Sequence, residues 1–505
     1  MKFTEELSGV YDKLKTVYDL AAFCYSYLEE NISNQIVFMA EYIDANDGVD
    51  VSNPNLDLLM DMAMDIKVML KENLFMLFGQ KSDSNSLLSL IRRTENDMVD
   101  FEEASMNCAT IPFFILLGID LYIQDRGYEG SKCFPANDFL KETYMVYVNG
   151  YSSLMDEVAS KREYPAVIET NEIRKYFNYI IFLKTSELRS NYGVPKMVTL
   201  CKDESNLKKI LNTKQIKIAL IPVMREKWFD FLNERGTSFE IKYDWQKEEH
   251  VKARVLSLLE KAINYKFNVI VFPEYVCSPG VQVAIGKYLE KMSLEEPERL
   301  KELLFVIAGS GWTADSNNVS CVYSYEGDLL GRVYKYSAYN KVIGRVKYYE
   351  RLQNPGKEVT LINIPGIGIV QTEICRDVSE DEFCSKLARV FEPQFLLIVA
   401  WSASVKIGFR KQIDAIISHN RKTCVAMCNC CGAIHSDKRF KDVLGVVAAP
   451  QKQESLVEAV FGDVRRVREE CCGGCENGCI FEVYYDFNVE SEEDVVMTCK
   501  FIGKG

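Results

Sequence analysis

One cysteine stands at a position that suits a nucleophile. Cys375 follows the apolar run GIGIVQTEI at 366–374, which predicts a buried strand, and precedes Arg376 and Asp377 at the start of a predicted helix. A neighbouring cation and helix N-terminal amides can lower the pKa of a thiol placed there, as nucleophilic attack requires. Cysteine at a strand end can equally be a small apolar core residue, so this position alone does not decide its role.

A glutamate has a matching position. Glu274 comes directly after the apolar run FNVIVF at 267–272 and Pro273, so it is expected at the carboxyl end of a strand, where clefts form in α/β folds. A glutamate in contact with a thiol can act as its general base. The alternative is an exposed loop glutamate, which is the commoner situation for this residue type.

Two lysines and a second glutamate follow Glu274 in the chain. Lys335 ends EGDLLGRVYK at 326–335, and Lys341 follows it at an even separation, which would put both on one face of a straight strand. Glu350, in YYERL at 348–352, could orient an ammonium group. Because basic residues surround it in sequence, a solvent-exposed charge is the alternative interpretation.

Three short motifs stand in order along the chain: FPE at 272–274, a lysine after GDLLG, and ICRD at 374–377. Their order and strand context resemble the nitrilase superfamily of carbon–nitrogen hydrolases. The segments IKIALIPV at 216–223, VIAGSG at 306–311 and AWSAS at 400–404 resemble the family's opening, central and closing strands. The likeness covers residues 214–490, and the place of Lys335 favours it over Lys341 as the family's lysine.

The resemblance implies an αββα sandwich that hydrolyses a carbon–nitrogen bond other than a peptide bond, most simply in an amide and less so in a nitrile. Cys375 would form a thioester, Glu274 would serve as general base, and Lys335 with the backbone N–H of Arg376 would stabilise the oxyanion. Glu350 would hold the lysine. The resemblance also implies a small-molecule substrate, no cofactor for catalysis and a homo-oligomer. Arg376 and the motif SHNR at 418–421 depart from the family's pattern and leave the substrate open.

Short apolar runs alternate with amphipathic segments from about residue 214 onward, which predicts an α/β unit with a covered sheet. Residues 1–200 instead show apolar positions at three- and four-residue spacing, which predicts an all-α domain. No catalytic motif is evident there. We expect this domain to recognise a protein partner, regulate the site or support oligomerisation.

Composition narrows the class of protein. The chain has 505 residues, 48% hydrophobic, and a formal net charge of −13, which disfavours extended binding to nucleic acid. The N-terminus lacks the order of a signal peptide, and the longest apolar run, at 111–123, is too short to span a bilayer. These features predict a cytoplasmic globular protein without membrane spans. We also expect no synthetase domain after residue 490.

Seventeen cysteines and three histidines allow other chemistry. In CCGGCENGC at 471–479, a structural zinc could be held by Cys471 or Cys472 together with Cys475 and Cys479. The run CVAMCNCCG at 424–432 is better interpreted as a core strand. A Cys/His catalytic pair using His419 or His435 is disfavoured, since neither histidine lies in a recognisable protease motif.

A function of another class stays open at this stage. The hydrolase-like half could be a catalytically silent binding or regulatory module that works with the helical half. Retention of a glutamate, a lysine and a cysteine in the expected order argues for catalysis, and selective alkylation of Cys375 would discriminate between the two functions.

Overall fold

The computed structural model describes residues 3–14, 16–30, 54–72, 87–97, 107–126, 133–135, 144–148, 177, 180–184, 186, 193–200, 202, 204–223, 228–235, 237–343, 346–379, 384–402, 405–431, 443–453, 456–465, 479–488 and 495–504. The chain divides into two compact units. One comprises residues 1–152 and 165–188, and the other comprises residues 153–164 and 189–505.

The first unit packs helices on a small sheet. Aromatic and aliphatic side chains of these elements form one buried core, as their three- and four-residue spacing predicts. The elements are α1 (Phe3–Val10), α2 (Val17–Glu30), α3 (Pro54–Glu72), α4 (Leu87–Asp97), α5 (Asn107–Arg126), β1 (Cys133–Pro135), β2 (Tyr144–Val148) and β3 (Ile180–Lys184).

The three antiparallel strands make the prediction of an all-α domain wrong. The runs YMVYV in β2 and IIFLK in β3 are rich in β-branched and aromatic residues, which favour strands. The long helical periodicity beside them conceals this signal. Asp120 of α5 accepts a hydrogen bond of 3.0 Å from the backbone N–H of Ile180, which ties the sheet to the helices of this unit.

The second unit contains two seven-stranded sheets. The first has the order β11-β10-β9-β8-β5-β20-β21, and its central strands β5, β8 and β9 run parallel. Its strands are β5 (Gln215–Leu220), β8 (Val269–Val271), β9 (Phe305–Trp312), β10 (Asn318–Ser324), β11 (Leu329–Tyr334), β20 (Cys479–Asp486) and β21 (Val496–Lys504).

The second sheet has the order β19-β18-β17-β16-β15-β14-β4, with β15, β16 and β17 parallel. Its central strands are buried at every position; β16 is continuously apolar, while β15 also buries Gln371, Thr372 and Glu373. The strands are β4 (Lys196–Thr199), β14 (Thr360–Ile364), β15 (Gly368–Ile374), β16 (Phe395–Ala400), β17 (Cys424–Asn429), β18 (Val443–Gln453) and β19 (Leu456–Arg465).

Helices cover the sheets. Ile218 and Leu220 of β5 share one core with Leu396 and Ile398 of β16, so the two sheets pack face to face. The opposite face of β5 packs with α7 and α8, while α10 lies against the second sheet. The helices are α6 (Glu204–Thr213), α7 (Glu248–Asn264), α8 (Pro279–Glu295), α9 (Lys386–Phe391) and α10 (Val405–Asn420).

A four-stranded sheet of order β12-β13-β7-β6 completes the unit. It consists of β6 (Phe229–Arg235), β7 (Ser238–Tyr243), β12 (Asn340–Ile343) and β13 (Val346–Glu350). The sequence does not predict this sheet, because charged residues interrupt the apolar positions of its strands.

The sheets also extend past both ends of the predicted range 214–490, since β4 pairs with β14 and β21 pairs with β20. Among the described residues, no helix combines the length and the apolar character needed to cross a membrane.

Candidate active site

Glu274 lies in the turn that follows β8, at the strand's carboxyl end, and is fully buried. Its backbone N–H donates to the carbonyl of Ala400 at 3.3 Å, and its Oε2 accepts from the backbone N–H of Trp401 at 2.9 Å. Both partners lie at the end of β16 in the other sheet. The carboxylate is therefore fixed at the place where the two sheets meet.

Lys335 follows β11 directly and is 1% exposed. Its Nζ contacts Glu274 Oε1 at 2.7 Å and Glu350 Oε2 at 2.8 Å. An ammonium group buried among two carboxylates keeps its charge, because the opposite charges offset its loss of hydration. The three side chains form what we call the Glu–Lys–Glu array.

Glu350 ends β13 and is 3% exposed, so the interpretation as a solvated charge does not hold. Besides Lys335, its carboxylate accepts from the Tyr275 hydroxyl at 2.6 Å and from the backbone N–H of Tyr339 at 2.9 Å. These contacts fix the second carboxylate of the array.

Cys375 follows β15 and begins a 3-10 turn that runs to Ser379. Its φ of 50° places it in the left-handed region, which residues other than glycine adopt at a cost of roughly 1–3 kcal/mol. Glu274 and Lys335 both affect the pKa of this thiol, so the sulfur lies within electrostatic reach of the two side chains. The strained turn thus holds the sulfur against the array.

Burial sets the protonation of the site. Desolvation raises the pKa of the Cys375 thiol well above its ordinary value, and the charge of Glu274 raises it further, while Lys335 lowers it. Desolvation also raises the pKa of Glu274, against the lowering effect of Lys335. The expected low-pKa thiolate is therefore wrong: the thiol keeps its proton until a base removes it.

The pKa of Lys335 shows the opposite balance. Burial alone would lower the pKa of Lys335, but Glu274 and Glu350 together raise it above its ordinary value. The lysine is charged throughout the physiological range. Its positive charge lies beside the glutamate that contacts the thiol, where it favours any negative charge that develops there.

Sequence reasoning missed Asn318, the first residue of β10. It is fully buried, and its Nδ2 donates to Glu274 Oε1 at 2.9 Å and to Glu350 Oε1 at 3.3 Å. Because its strand, NVSCVYS, also contains two serines, a polar residue at its start is not distinctive in the sequence.

Aromatic rings surround the array. Trp401 lies 5.0 Å from Phe231 and 6.3 Å from Tyr275 between ring centroids, and Phe231 comes from β6 of the four-stranded sheet. Lys335 Nζ lies 5.4 Å from the Tyr275 ring. The unpredicted sheet thus supplies part of the apolar surroundings that strengthen electrostatic interactions within the site.

Two further acids lie on either side of Cys375 in the sequence, and we call Glu373 and Asp377 the acid pair. Asp377 Oδ1 accepts from the backbone N–H groups of Tyr336 at 3.2 Å and Ser337 at 2.7 Å. These residues follow Lys335 directly. Asp377 therefore links the turn of the cysteine to the segment of the lysine, a role that the sequence does not reveal.

The structure gives less detail about Arg376 and Lys341, the other predicted site residues. Arg376 lies in the turn of Cys375 and is half-buried, and its backbone role toward an oxyanion stays a prediction. The backbone of Lys341 in β12 pairs with the backbone of Tyr348 in β13, while the side chain of Lys341 lies outside the described residues. Because β11 ends before Lys335 and β12 begins at Asn340, the two lysines do not share one straight strand.

The competing metal and histidine sites are tested only in part. Cys471, Cys472, Cys475 and His435 lie outside the described residues, while Cys479 is buried in β20. Within the described part of the chain, no group of three or more His, Cys, Asp or Glu residues could hold a metal ion. The zinc site stays a prediction. His419 lies in the last turn of α10.

Comparisons with known proteins find only distant similarity in fold. No family model matches the chain, and no curated protein matches it. A variant of the amidase from Nesterenkonia AN1, of the nitrilase superfamily, is similar over 50% of this chain and 90% of its own, with 12% identity and a TM-score of 0.33.

Two other solved structures are similar at the same level. The NitFhit protein of C. elegans gives 15% identity over 50% of this chain and 61% of its own, with a TM-score of 0.31. The glutamine-dependent NAD+ synthetase of Acinetobacter baumannii gives 10% identity over 54% and 46%, with a TM-score of 0.33. With such low TM-scores these likenesses carry no argument, so the function has to be argued from the site.

Proposed function

We propose that the second unit is a carbon–nitrogen hydrolase with a nitrilase-like αββα sandwich, acting on a small amide through a cysteine thioester. The observation that carries this proposal is the contact of one buried lysine with two buried glutamates, with the buried thiol of Cys375 within electrostatic reach of Glu274 and Lys335. A domain without catalysis gains nothing from so many buried charges, since each costs desolvation energy.

The reaction begins with proton transfer. Because the pKa of the thiol is raised, Cys375 attacks the carbonyl carbon as Glu274 takes its proton. The carbonyl π electrons move to oxygen, and Lys335 with the backbone N–H of Arg376 stabilises the resulting oxyanion. Glu274 then gives the proton to the leaving nitrogen, the carbon–nitrogen bond breaks, and a thioester to Cys375 remains.

In the second half of the reaction, water is the nucleophile and the thiol of Cys375 is the leaving group. Glu274, again unprotonated, takes a proton from water, which attacks the thioester carbon. The tetrahedral intermediate collapses, the carbon–sulfur bond breaks, and the proton returns to the sulfur. The products are an amine or ammonia and a carboxylic acid. Every proton is handled by Glu274, so the mechanism needs no metal or cofactor.

Trapping the thioester tests the proposal. The unaltered protein and the Glu274→Gln variant are incubated with a library of small primary amides and quenched in acid, and mass spectrometry then measures the mass of the peptide that contains Cys375. We expect an acyl adduct on Cys375 of the unaltered protein that forms more slowly in Glu274→Gln and is absent from Cys375→Ala. If neither the unaltered protein nor the variant forms an adduct or releases ammonia, the silent binding module becomes the better explanation.

Alkylation of the thiol needs no known substrate. Iodoacetamide is expected to modify Cys375 faster than Cys384, which is also buried and lies in the same unit but hydrogen-bonds Glu373 instead of facing Glu274. Glu274→Gln should slow the reaction at Cys375 and leave Cys384 unchanged. Equal rates at the two cysteines would contradict a catalytic role for Cys375.

The first unit is proposed to recognise a protein partner that regulates the site, and the protein is proposed to be a homo-oligomer. A deletion that ends at residue 188 keeps β4, which pairs with β14 and which a deletion up to residue 200 would remove, although it also removes residues 153–164 of the second unit. Unchanged turnover and an unchanged oligomeric state after this deletion would contradict both roles.

A further inference from the structure

Asn318 contacts every charged member of the array. Its side-chain Nδ2 donates to Glu274 Oε1 at 2.9 Å and to Glu350 Oε1 at 3.3 Å, and its backbone carbonyl oxygen accepts from the backbone N–H of Lys335 at 2.9 Å. The residue is fully buried. A single amide side chain thus lies between the two carboxylates that share one lysine.

The orientation of this amide is set by the carboxylates. Ionised carboxylates only accept hydrogen bonds, so the NH2 group of Asn318 must face them. This orientation leaves the amide oxygen without a donor: Asn318 Oδ1 is buried and has no hydrogen-bond partner within the described structure. A buried acceptor left without a donor costs roughly 1–3 kcal/mol. The donation to the two glutamates outweighs that cost.

Two carboxylates with one cation leave a net negative charge in a buried site. Like charges raise one another's pKa, and a donor to the charged form opposes this effect. The titratable groups that face Glu274 are Lys335, Glu350, Cys375 and Tyr275, with Tyr243 and Tyr339 within electrostatic reach. Of these, only Lys335 carries a positive charge.

We infer that Asn318 is a positioning residue that keeps Glu274 ionised and turned toward the thiol of Cys375. It does this by donating to both carboxylates at once, so that neither has to take up a proton or turn away from the other. This inference rests on the proposed function, because it assumes that Glu274 receives the proton of Cys375.

The test measures the iodoacetamide reaction of Cys375 across pH in the full-length protein. At low pH Glu274 is protonated and cannot accept the thiol proton, so the acid limb of the profile reports Glu274. In Asn318→Leu, which keeps the branched shape of the side chain and removes the donor, the midpoint of that limb should rise by about one pH unit. The rate on the alkaline side should change by less than about threefold.

Asn317→Ala serves as the matched control. Asn317 is buried beside Asn318, but it bonds to Asn354 and Asp315 instead of the glutamates. It should lose stability without a shift of the midpoint. If Asn318→Leu does not fold, the same pH profile is measured for Asn318→Ala. Failure of both variants to fold would overturn the positioning role in favour of a purely structural one.

The outcomes separate the two proposals. If the unaltered protein shows no preferential reaction of Cys375, the proposed function fails and this inference fails with it. If the unaltered protein reacts as expected but the midpoint in the Asn318 variants moves no more than in Asn317→Ala, only the inference is overturned.

Discussion

The Glu–Lys–Glu array and the acid pair are buried to the same degree, with exposures of 0–3% for their four carboxylates. They differ in their partners. The array has an ammonium in direct contact with both carboxylates. In the acid pair, Glu373 accepts from the neutral amide of Gln371 at 2.6 Å, and Asp377 accepts from two backbone N–H groups.

The pKa of Glu373 shows the effect of this difference. Desolvation raises the pKa of Glu373 to about 7, and the hydrogen bonds from Gln371 and Cys384 lower it only in part. Desolvation and the charge of Glu373 also raise the pKa of Asp377. The acid pair therefore retains a proton near neutral pH. Equal burial gives different chemistry, because the array has a cation and the pair has none.

Replacing Lys335 by Met should have the largest effect, since it turns the array into a second acid pair. Loss of one partner of a buried ion pair typically costs about 3–5 kcal/mol of unfolding free energy. Alkylation of Cys375 at neutral pH should fall with it, by about 10²–10³-fold, as Glu274 takes up a proton. Urea unfolding at pH 7 and at pH 5 measures the stability.

The loss of stability in Lys335→Met should shrink toward pH 5, where the carboxylates become neutral. Lys357→Met, at an exposed position, is the control and should change the unfolding free energy by less than about 0.5 kcal/mol. Equal stability of the two variants at pH 7 would mean that Lys335 does not compensate the buried charge.

Glu373→Gln should remove a pH dependence of stability. The unfolded carboxyl ionises near 4.5, while the folded carboxyl keeps its proton up to about 7. The folded state therefore binds more protons than the unfolded state between these pH values. Because of Glu373, the free energy of unfolding falls as the pH rises from 4.5 to 7 and does not fall further above pH 7. Relative to the unaltered protein, the variant should gain on the order of 3 kcal/mol across this window.

Urea unfolding at half-unit steps from pH 4.5 to pH 8 provides the measurement for Glu373→Gln. Glu326→Gln, at an exposed site, should run parallel to the unaltered protein. A difference between Glu373→Gln and the unaltered protein that stays constant with pH would show that the acid pair is already ionised, like the array.

Asp377→Asn should have the smallest effect. Asparagine keeps an oxygen that can accept from the N–H groups of Tyr336 and Ser337, and only the charge is lost. The rate of Cys375 alkylation at pH 7 should change by less than about tenfold. Asp377→Ala removes the acceptor as well and should cost about 1–3 kcal/mol for each unpaired N–H. Equal behaviour of the two variants would contradict the link to the segment of Lys335.

Local patterns in the sequence predict much of the second unit. The runs that become β8 and β16 are continuously apolar, so their burial follows from composition, whereas β5, β15 and β17 mix apolar residues with a few polar ones. Glu274 and Cys375 stand out because each directly follows such a run. The structure brings them into contact with Lys335 and Glu350, while their catalytic roles stay predictions.

Contacts between distant segments could not be predicted. Asn318 and Trp401 act through a side-chain amide and a backbone N–H, and neither group is distinctive in a single sequence. The raised pKa of Cys375 depends on burial and on the charge of Glu274, which only the packed fold defines. The strands of the four-stranded sheet carry charged residues at positions where an alternating strand pattern would have apolar residues.

The pairing of β5 with β20 has a consequence for synthesis on the ribosome. Gln215 and Asp486 are 271 positions apart, so at about 5–20 residues per second β5 waits roughly 15–55 s for the strand that covers its edge. An unpaired edge invites association with other chains during that time. All the residues of the site from Glu274 to Trp401 therefore leave the ribosome before the strand that completes the sheet next to Glu274.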